Sequence, residues 1–288
     1  MANTRELRRR IKSIKNTSQI TRAMQMVAAT KMRRAQSQAT SGRPYSENLY
    51  DALSKLLPSI NPEAHPLLTG NDSKITGVVL LSTDRGLVGA LNTNLMRIVL
   101  GLHTGGGNVN YYTVGRKGRG FVVRTGKDLK ADFENLDAVT FRQARQLARL
   151  VMEAFENGEI GEAYLVYPHF VSTLRQEPRR VKLLPIELAE LGIPSSTNLA
   201  PSSKEFLFEP NPDVLLDFIL THHIEEQIYQ ALLETKASEH SARMVAMKNA
   251  TDNALELVED LTLTYNETRQ ASITTELLEI TTAQVAME

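Results

Sequence analysis

The chain has 288 residues, 42% of them hydrophobic, which is enough to form a core in one large or two small domains. It contains no cysteine, and this excludes disulfides, thiolate chemistry and cysteine metal sites. Charged residues begin at Arg5 and Glu6, and no apolar run approaches the ~18 residues of a membrane span. We therefore expect a soluble, cytosol-type chain without a signal peptide.

The formal net charge of zero hides an opposite distribution at the two ends. Residues 1–41 hold ten basic residues and one acidic residue, whereas residues 213–288 hold four basic and fourteen acidic residues. All glycines and prolines lie between Gly42 and Pro212. Because neither end contains a residue that breaks helices, we expect two long terminal helices whose charges attract each other.

The N-terminal segment carries apolar residues three and four apart, as one face of a helix requires. They are Leu7, Ile11, Ile14, then Ile20 or Thr21, and Met24, with small or apolar neighbours at Val27, Ala28 and Ala29. The tripeptide Gly42-Arg43-Pro44 predicts a kink or break, after which residues 45–57 resume a helical face. Pro58, Pro62 and Pro66 then indicate a loop.

The central part of the chain alternates short apolar runs with helical patterns. Strands are predicted at 75–81, 109–114 and 162–167 and within 171–185, and helices up to about residue 100, within 115–124 and at 139–155. Residues 176–178 are interpreted as a bend in the last of these regions, and residues 205–209 as a further short strand or connector. This alternation favours an α/β layer structure with a largely parallel sheet.

The C-terminal segment is predicted to be one helix starting near Pro212, about 110 Å long at ~1.5 Å per residue. Its apolar seam consists of Met244, Met247, Thr251, Ala254, Val258, Leu261 and Tyr265. One seam begins at Leu7 and the other ends at Tyr265, and for an antiparallel pair we predict Leu7 near Leu261, Ile14 near Ala254 and Met24 near Met244. Beyond Tyr265 the seam turns polar, so we expect residues 266–288 to project as a lone helix.

The turn at residues 82–92 joins a strand to a helix, where main-chain amides can hold phosphate. Its glycines, Gly86 and Gly89, lack the three-glycine spacing of a dinucleotide loop, and no Gly-Lys-Ser/Thr is present. A plain turn is therefore favoured over a nucleotide site. The basic, glycine-rich residues 115–120 are interpreted either as a contact with an anionic partner or as a solvated turn.

Other polar residues do not assemble into a catalytic or metal site. The basic residues Arg8, Arg9, Arg10, Lys12 and Lys15 favour an acidic protein partner, because only Tyr45 and Tyr50 are available nearby to stack on bases. The alternative interpretation is a coiled-coil adaptor or a nucleic-acid-binding protein that uses the basic N-terminal helix. His222, His223 and His240 lack a metal-ligand spacing, and no nucleophile with a base is evident. We predict no catalytic residue, metal or cofactor.

Several segments resemble the γ subunits of rotary F-type ATP synthases. They are residues 9–17, 20–24, 26–32, 82–87 with Leu91-Asn92, 239–253 and 266–276. Where the family often has cysteine and glycine in the turn, this chain has Val88 and Ala90. The family has no catalytic residue in this turn, so the two differences put no activity in doubt.

The resemblance implies an α/β fold in which the N- and C-terminal helices form a long antiparallel two-helix coiled coil around a central Rossmann-like domain. The expected segments are an N-terminal coiled-coil helix at 1–57, the central Rossmann-like domain at 74–209 and a C-terminal coiled-coil helix at 211–286. The implied function is a non-catalytic rotor shaft of a bacterial F1Fo ATP synthase. Proton or sodium flow would turn this shaft inside a hexamer of three α and three β subunits. Its rotation would drive conformational changes of the catalytic β subunits.

The resemblance also implies partners and contact residues. The partners are the α3β3 hexamer, ε and the ring of c subunits, without nucleic acid or a small-molecule ligand, at the cytoplasmic side of the plasma membrane. The implied contacts with the hexamer are Met24, Arg243, Gln270, Thr274 and Glu276. Lys12, Arg33 and Arg34 are expected to face acidic loops of β.

Overall fold

The computed structural model describes residues 4–56, 65–102, 108–135, 138–187 and 211–285. Two long helices, α1 (Thr4–Leu56) and α6 (Pro212–Val285), flank five strands and four shorter helices in this described part. In chain order these are α2 (Pro66–Thr69), β1 (Thr76–Leu81), α3 (Leu91–Gly101), β2 (Val109–Val114), α4 (Arg116–Arg124), β3 (Asp128–Phe133), α5 (Phe141–Glu156), β4 (Glu162–Phe170) and β5 (Gln176–Leu184). The predicted α/β class with long terminal helices is confirmed.

The chain divides into two compact units, and both long helices pass from one into the other. The first unit holds Met1–Ala29 and Arg243–Glu288, and the second holds Thr30–Ala242. None of the helices described in the structure is both long enough and apolar enough to cross a membrane. The division into 1–57, 74–209 and 211–286 stays a prediction.

In the first unit, each long helix buries one narrow stripe of side chains. On α6 the predicted seam is confirmed, because Met247, Thr251, Ala254 and Val258 are buried and Met244, Leu261 and Tyr265 are half-buried. On α1 the choice between Ile20 and Thr21 is decided, since Ile20 is 61% exposed and Thr21 is 9% exposed. Alternating steps of four and three from Leu7, the average spacing of a helical face, reach Thr21 and not Ile20.

The predicted pairing of the two helices is wrong by one helical turn. The hydroxyl oxygens of Thr21 and Thr251 lie 2.6 Å apart in a buried hydrogen bond, whereas the predicted pairing of Leu7 with Leu261 would place Thr21 opposite Met247. Equally spaced apolar residues fit either pairing, and this contact identifies the one that the chain adopts. In an antiparallel pair, each step forward on α1 corresponds to one step backward on α6. Leu7, Ile14 and Met24 therefore lie opposite residues 265, 258 and 248.

Helix α6 continues beyond the part of α1 that accompanies it. Thr268 is half-buried, and every residue from 269 to 284 is exposed. The observed register places Thr4, the first residue of α1, level with Thr268. The predicted projection of the end of the helix is confirmed, although it begins after Thr268 rather than after Tyr265.

The register can be tested by a disulfide between cysteines introduced at Thr21 and Thr251. We expect Thr21→Cys with Thr251→Cys to cross-link on mild oxidation, because their 2.6 Å hydroxyl contact brings the two Cβ atoms within the range that a disulfide spans. The chain contains no native cysteine, so the background is clean. Thr21→Cys with Thr264→Cys is the control. Cross-linking of the control and not of the first pair, read by mass spectrometry, would contradict the register.

The second unit contains a five-stranded sheet in the order β3-β2-β1-β4-β5. All neighbouring strands are parallel except β4 and β5, which are antiparallel. The central strand β1 is buried on both faces, as its apolar run predicts. Val79 and Leu81 face a core with α5 and the first part of α6, whereas Val78 and Leu80 face one with α3 and α4.

Three local predictions need correction or completion. The bend at residues 176–178 is wrong: they belong to β5, where Pro178 pairs with Pro168. Proline is tolerated there because β5 is at the sheet edge. Strand β3 was not predicted, because charged residues alternate along it at the opposite edge. The tripeptide at 42–44 does not break α1, whose far end packs Leu56 into the core.

The remaining local predictions concern the loops. The loop predicted at Pro66 is wrong, because Pro66 is the first residue of α2, where proline lacks no needed hydrogen bond. Helix α6 begins at Pro212 as predicted. Pro58, Pro62 and the expected strand or connector at residues 205–209 lie outside the described residues.

Candidate functional site

The carboxyl end of β1 is joined to the turn before α4 by a buried serine. The Ser82 hydroxyl donates to the carbonyl oxygens of Val114 and Gly115, at 3.0 and 3.1 Å, and accepts from the amide of Gly118 at 2.8 Å. The side chain is fully buried. Ser82 therefore holds β1, β2 and α4 together at the edge where an α/β sheet of this kind usually presents its ligand site.

The first amides of α4 are engaged by the chain itself. The Arg116 amide donates to the Asp84 carboxylate at 2.9 Å, and the Lys117 amide donates to the Thr83 carbonyl at 3.0 Å. The Gly118 amide donates to Ser82, as described above. These amides would be the ones to hold a phosphate at a helix start. Their occupation agrees with the interpretation of residues 115–120 as a turn.

The turn from β1 to α3 is likewise stabilised from within. The Asn92 amide donates to the Thr83 hydroxyl at 2.8 Å, and that hydroxyl donates to the Arg85 carbonyl at 2.8 Å. Gly89 has a positive φ of 56°, which suits glycine in a tight turn. This geometry agrees with the plain turn that the sequence favours.

Helix α6 lies across the carboxyl ends of the central strands. The strand order reverses between β1 and β4, and in open parallel sheets ligands bind at such a crevice. Here the Ser238 hydroxyl donates to the Pro168 carbonyl in β4 at 2.8 Å. Ala242 packs with Val88 and Leu91 from the turn after β1. A helix of the chain's own therefore occupies the region where a ligand would be expected.

A buried ion pair accompanies this contact. Lys236 Nζ lies 3.5 Å from Glu239 Oε2, and the two side chains are only 5% and 7% exposed. The Lys236 ammonium donates to the Asn135 carbonyl at 3.1 Å, and the Asn135 amide donates to Glu239 at 3.4 Å. The same amide donates to the Ser82 carbonyl at 2.7 Å. Buried charges require such partners, so Asn135 links the ion pair to β1.

A second buried titratable group lies earlier on α6. Burial lowers the pKa of His223 to about 4, and the neighbouring His222 adds to the effect. His223 is therefore neutral in the folded chain at neutral pH. Among the described residues, no group of three or more His, Asp or Glu side chains is arranged to hold a metal ion.

The buried histidine predicts acid sensitivity of the fold. Between pH 6.5 and 4 the unfolded chain binds a proton at His223 that the folded chain does not, so the free energy of unfolding falls as pH falls. At 1.36 kcal/mol per pKa unit the loss is up to about 3 kcal/mol. We expect His223→Gln to show a smaller decrease between pH 7.5 and 4.5 in urea unfolding. An identical decrease in both chains would contradict this assignment.

Comparison with known proteins decides the family. A family model described as ATP synthase matches residues 3–287. An ATP synthase gamma chain of Methylacidiphilum infernorum is 45% identical over 294 residues, which cover 100% of both chains. The chain belongs to the ATP synthase gamma chain family. Gamma chains are components of the complex that makes ATP, and the resemblance proposed from the sequence is confirmed.

Solved structures show the gamma-chain fold. A chain from the Euglena gracilis mitochondrial ATP synthase, in a structure of OSCP, F1 and the c-ring, has a TM-score of 0.68 at 22% identity. The match covers 99% of the present chain and 94% of that chain. A chain from the central stalk and c-ring of the Tetrahymena thermophila enzyme has a TM-score of 0.61 at 26% identity, over 80% and 99% of the two chains.

The structure distributes the contact residues expected of a gamma chain along both long helices. Gln270, Thr274 and Glu276 are exposed on the projecting part of α6, Met24 and Arg243 are half-buried, and Lys12, Arg33 and Arg34 are exposed on α1. The Thr274 hydroxyl donates to the Gln270 carbonyl within α6 at 2.9 Å. Arg34 also lines a cavity of about 240 Å³ with Lys31, Lys236 and His240. The expected residues thus lie in separate stretches of the two helices, six of them exposed and two half-buried.

The polar contacts of α6 with the gamma-chain sheet were not predicted from the sequence. One feature of the sequence could have indicated these contacts. Lys236 and Glu239 are three residues apart within a stretch of α6 that is almost entirely buried. Charged residues at helical spacing in an apolar environment indicate a buried pair. Their partner Asn135 is 101 residues away from Lys236, and no local pattern identifies it.

Proposed function

We propose that the chain is the central rotor shaft of an F1Fo ATP synthase. Proton or sodium flow turns it inside the α3β3 hexamer, and its rotation drives the conformational changes of the catalytic β subunits. The chain itself is non-catalytic. Its membership of the gamma chain family supports this proposal.

The observation that carries the proposal is the projecting end of α6. Residues 269–284 are helical and exposed, and apolar side chains lie among them. Ile273, Leu277, Leu278 and Ile280 are between 44% and 63% exposed. Such a concentration of exposed apolar residues on an unaccompanied helix requires an enclosing partner. A hexamer with an axial opening is a partner of that shape.

The proposed partners are the α and β subunits, the ε subunit and the ring of c subunits. The related Tetrahymena thermophila chain belongs to a central stalk and c-ring structure, which supports this set. We place the chain on the cytoplasmic side of the plasma membrane as a peripheral subunit. The second unit is proposed to bind no nucleotide, because α6 lies across the carboxyl ends of β1 and β4.

The contact residues follow from the same proposal. Met24, Arg243, Gln270, Thr274 and Glu276 contact the hexamer, and Lys12, Arg33 and Arg34 face acidic loops of β. The exposure of the last three basic residues and of the three residues on the projecting helix supports these roles. The division into two coiled-coil segments, 1–57 and 211–286, and a central domain, 74–209, belongs to this proposal.

The proposal is tested by assembly and rotation. The full chain is mixed with separately purified α3β3, and a probe attached to the chain is followed by single-molecule microscopy after ATP is added. We expect a complex with one copy of the chain per hexamer and stepwise rotation in one direction. Failure to bind α3β3, together with salt-sensitive binding to nucleic acid, would overturn the proposal in favour of a nucleic-acid adaptor.

A further inference from the structure

The segment of α6 from Glu234 to Ser241 is held by hydrogen bonds on one side to the end of β4 and the turn after it. The contacts are Glu234 Oε2 with His169 Nδ1 at 2.6 Å, Ser238 Oγ donating to the Pro168 carbonyl at 2.8 Å, and Ser241 Oγ donating to the Thr173 carbonyl at 2.7 Å. Both serine side chains are fully buried. Water therefore cannot readily replace the partner of either serine hydroxyl.

The same segment is held separately by residues beyond the ends of β1 and β3. Lys236 donates to the Asn135 carbonyl, and Glu239 accepts from the Asn135 amide. Asn135 is anchored in turn to the Ser82 carbonyl at 2.7 Å. This second set of contacts involves none of the residues of the first.

The two sets lie on opposite sides of the helix. An α-helix has 3.6 residues per turn, so each residue advances by about 100°. Glu234, Ser238 and Ser241 therefore fall within about 60° of one another, whereas Lys236 and Glu239 lie about 170° and about 130° from the middle of that group. A rotation of α6 about its own axis would break both sets together.

Apolar contacts alone would not resist such a rotation as strongly. Burial of apolar surface is non-directional, so a helix packed only by it can turn with small repacking. Hydrogen bonds weaken steeply as their angle departs from the optimum. Directional contacts on two opposite sides thus fix the angle of α6 relative to the sheet, in addition to its position.

We propose that Glu234, Lys236, Ser238, Glu239 and Ser241, with their partners, form a torsional clamp. The clamp transmits torque between the sheet and α6, which continues from Ala242 into the part of the helix that belongs to the first unit. This inference rests on the proposed rotor function and assigns a mechanical role to residues of the crevice that α6 occupies.

The test measures the torsional stiffness of the chain within its complex with α3β3. A bead is attached through Arg124→Cys on the exposed surface of α4, the hexamer is fixed to a surface, and the angular spread of the bead is recorded without ATP. The clamp variant carries Lys236→Met, Glu239→Leu, Ser238→Ala and Ser241→Ala. These replacements are apolar, because a buried ion pair can often be exchanged for apolar residues without loss of folding.

The control carries Ser41→Ala and Glu153→Gln, which change similar residue types at exposed positions outside the clamp. We expect a wider angular spread in the clamp variant and an unchanged spread in the control. Equal spread in wild type and clamp variant would overturn the inference. If the fourfold variant does not assemble, Ser238→Ala with Ser241→Ala is measured instead, and equal spread there has the same consequence.

The outcomes separate the clamp from the function on which it rests. A wild-type complex that does not rotate the bead on addition of ATP contradicts the proposed function. A wild-type complex that rotates, with no change of angular spread in the clamp variant, contradicts the clamp alone. Thermal melting of each isolated chain shows whether a wider spread comes from partial unfolding, and a variant that melts at the wild-type temperature with a wider spread supports the clamp.

Discussion

A chain that ends after Thr268 is expected to keep its fold but to lose most of its ATP-driven coupling in the complex. All residues from 269 to 284 are exposed, so their removal exposes no core residue of the described chain. Changes confined to exposed positions usually alter stability by no more than about 0.5 kcal/mol. Circular dichroism and thermal melting should therefore give nearly wild-type results after correction for the lost helix. Pumping of the coupling ion, proton or sodium, by the reconstituted complex should fall to a small fraction of the wild-type rate.

A second variant shows whether the loss of coupling comes from the shorter helix or from the missing apolar contacts. A full-length variant with Ile273, Leu277, Leu278 and Ile280 replaced by alanine keeps the helix, because alanine has the highest helix propensity. If enclosure of these side chains matters, this variant also couples poorly.

Amides beyond Thr268 should exchange rapidly in the isolated chain and slowly in the complex. A truncated chain that fails to fold alone would show that this end is part of the core.

Gly115→Ala is expected to be among the most destabilising single substitutions in the second unit. Gly115 has a φ of +95°, and a Cβ added there would lie 2.4 Å from the Ser82 carbonyl oxygen and 2.9 Å from its hydroxyl. The backbone conformation costs about 1–2 kcal/mol for a residue with a side chain, and the overpacking about 1–3 kcal/mol more. We expect a loss of about 3 kcal/mol in the free energy of unfolding, measured by chemical denaturation.

Gly89→Ala is the matched control for that substitution. Gly89 also has a positive φ, +56°, but a Cβ added there meets no atom within 4 Å. Because only the backbone strain applies, the free energy of unfolding is expected to fall by about 1–2 kcal/mol. Equal losses at the two positions would show that the contact with Ser82 has no energetic weight. A larger loss at Gly89 would contradict the packing argument altogether.

Periodicity in the sequence determined the elements whose burial follows from local spacing. The seam of α6 from Met247 to Val258 is buried as its three-four spacing predicts, and the apolar run of β1 forms the centre of the sheet. The absence of glycine and proline after Pro212 likewise corresponds to one helix that runs to Val285. These predictions succeed because a repeating pattern specifies which face of an element is buried.

Edge strands carry a weaker local signal. Strand β3 alternates half-buried and exposed residues, many of them charged, and β5 contains Pro178. Both strands lie at the edges of the sheet, where one side needs no hydrogen-bonded neighbour and proline and charges are tolerated. The tertiary position of these segments, more than their composition, makes them strands.

The pairing of distant segments was decided only by the tertiary structure. Two seams with the same spacing can slide by a turn and bury nearly the same apolar area, so only the observed Thr21–Thr251 contact shows which register the chain adopts. The contacts of Lys236 with Asn135 join positions 101 residues apart. A buried charge requires hydrogen-bond partners, and this requirement can be predicted from the sequence. The identity of the partner cannot, because folding brings it from a distant segment.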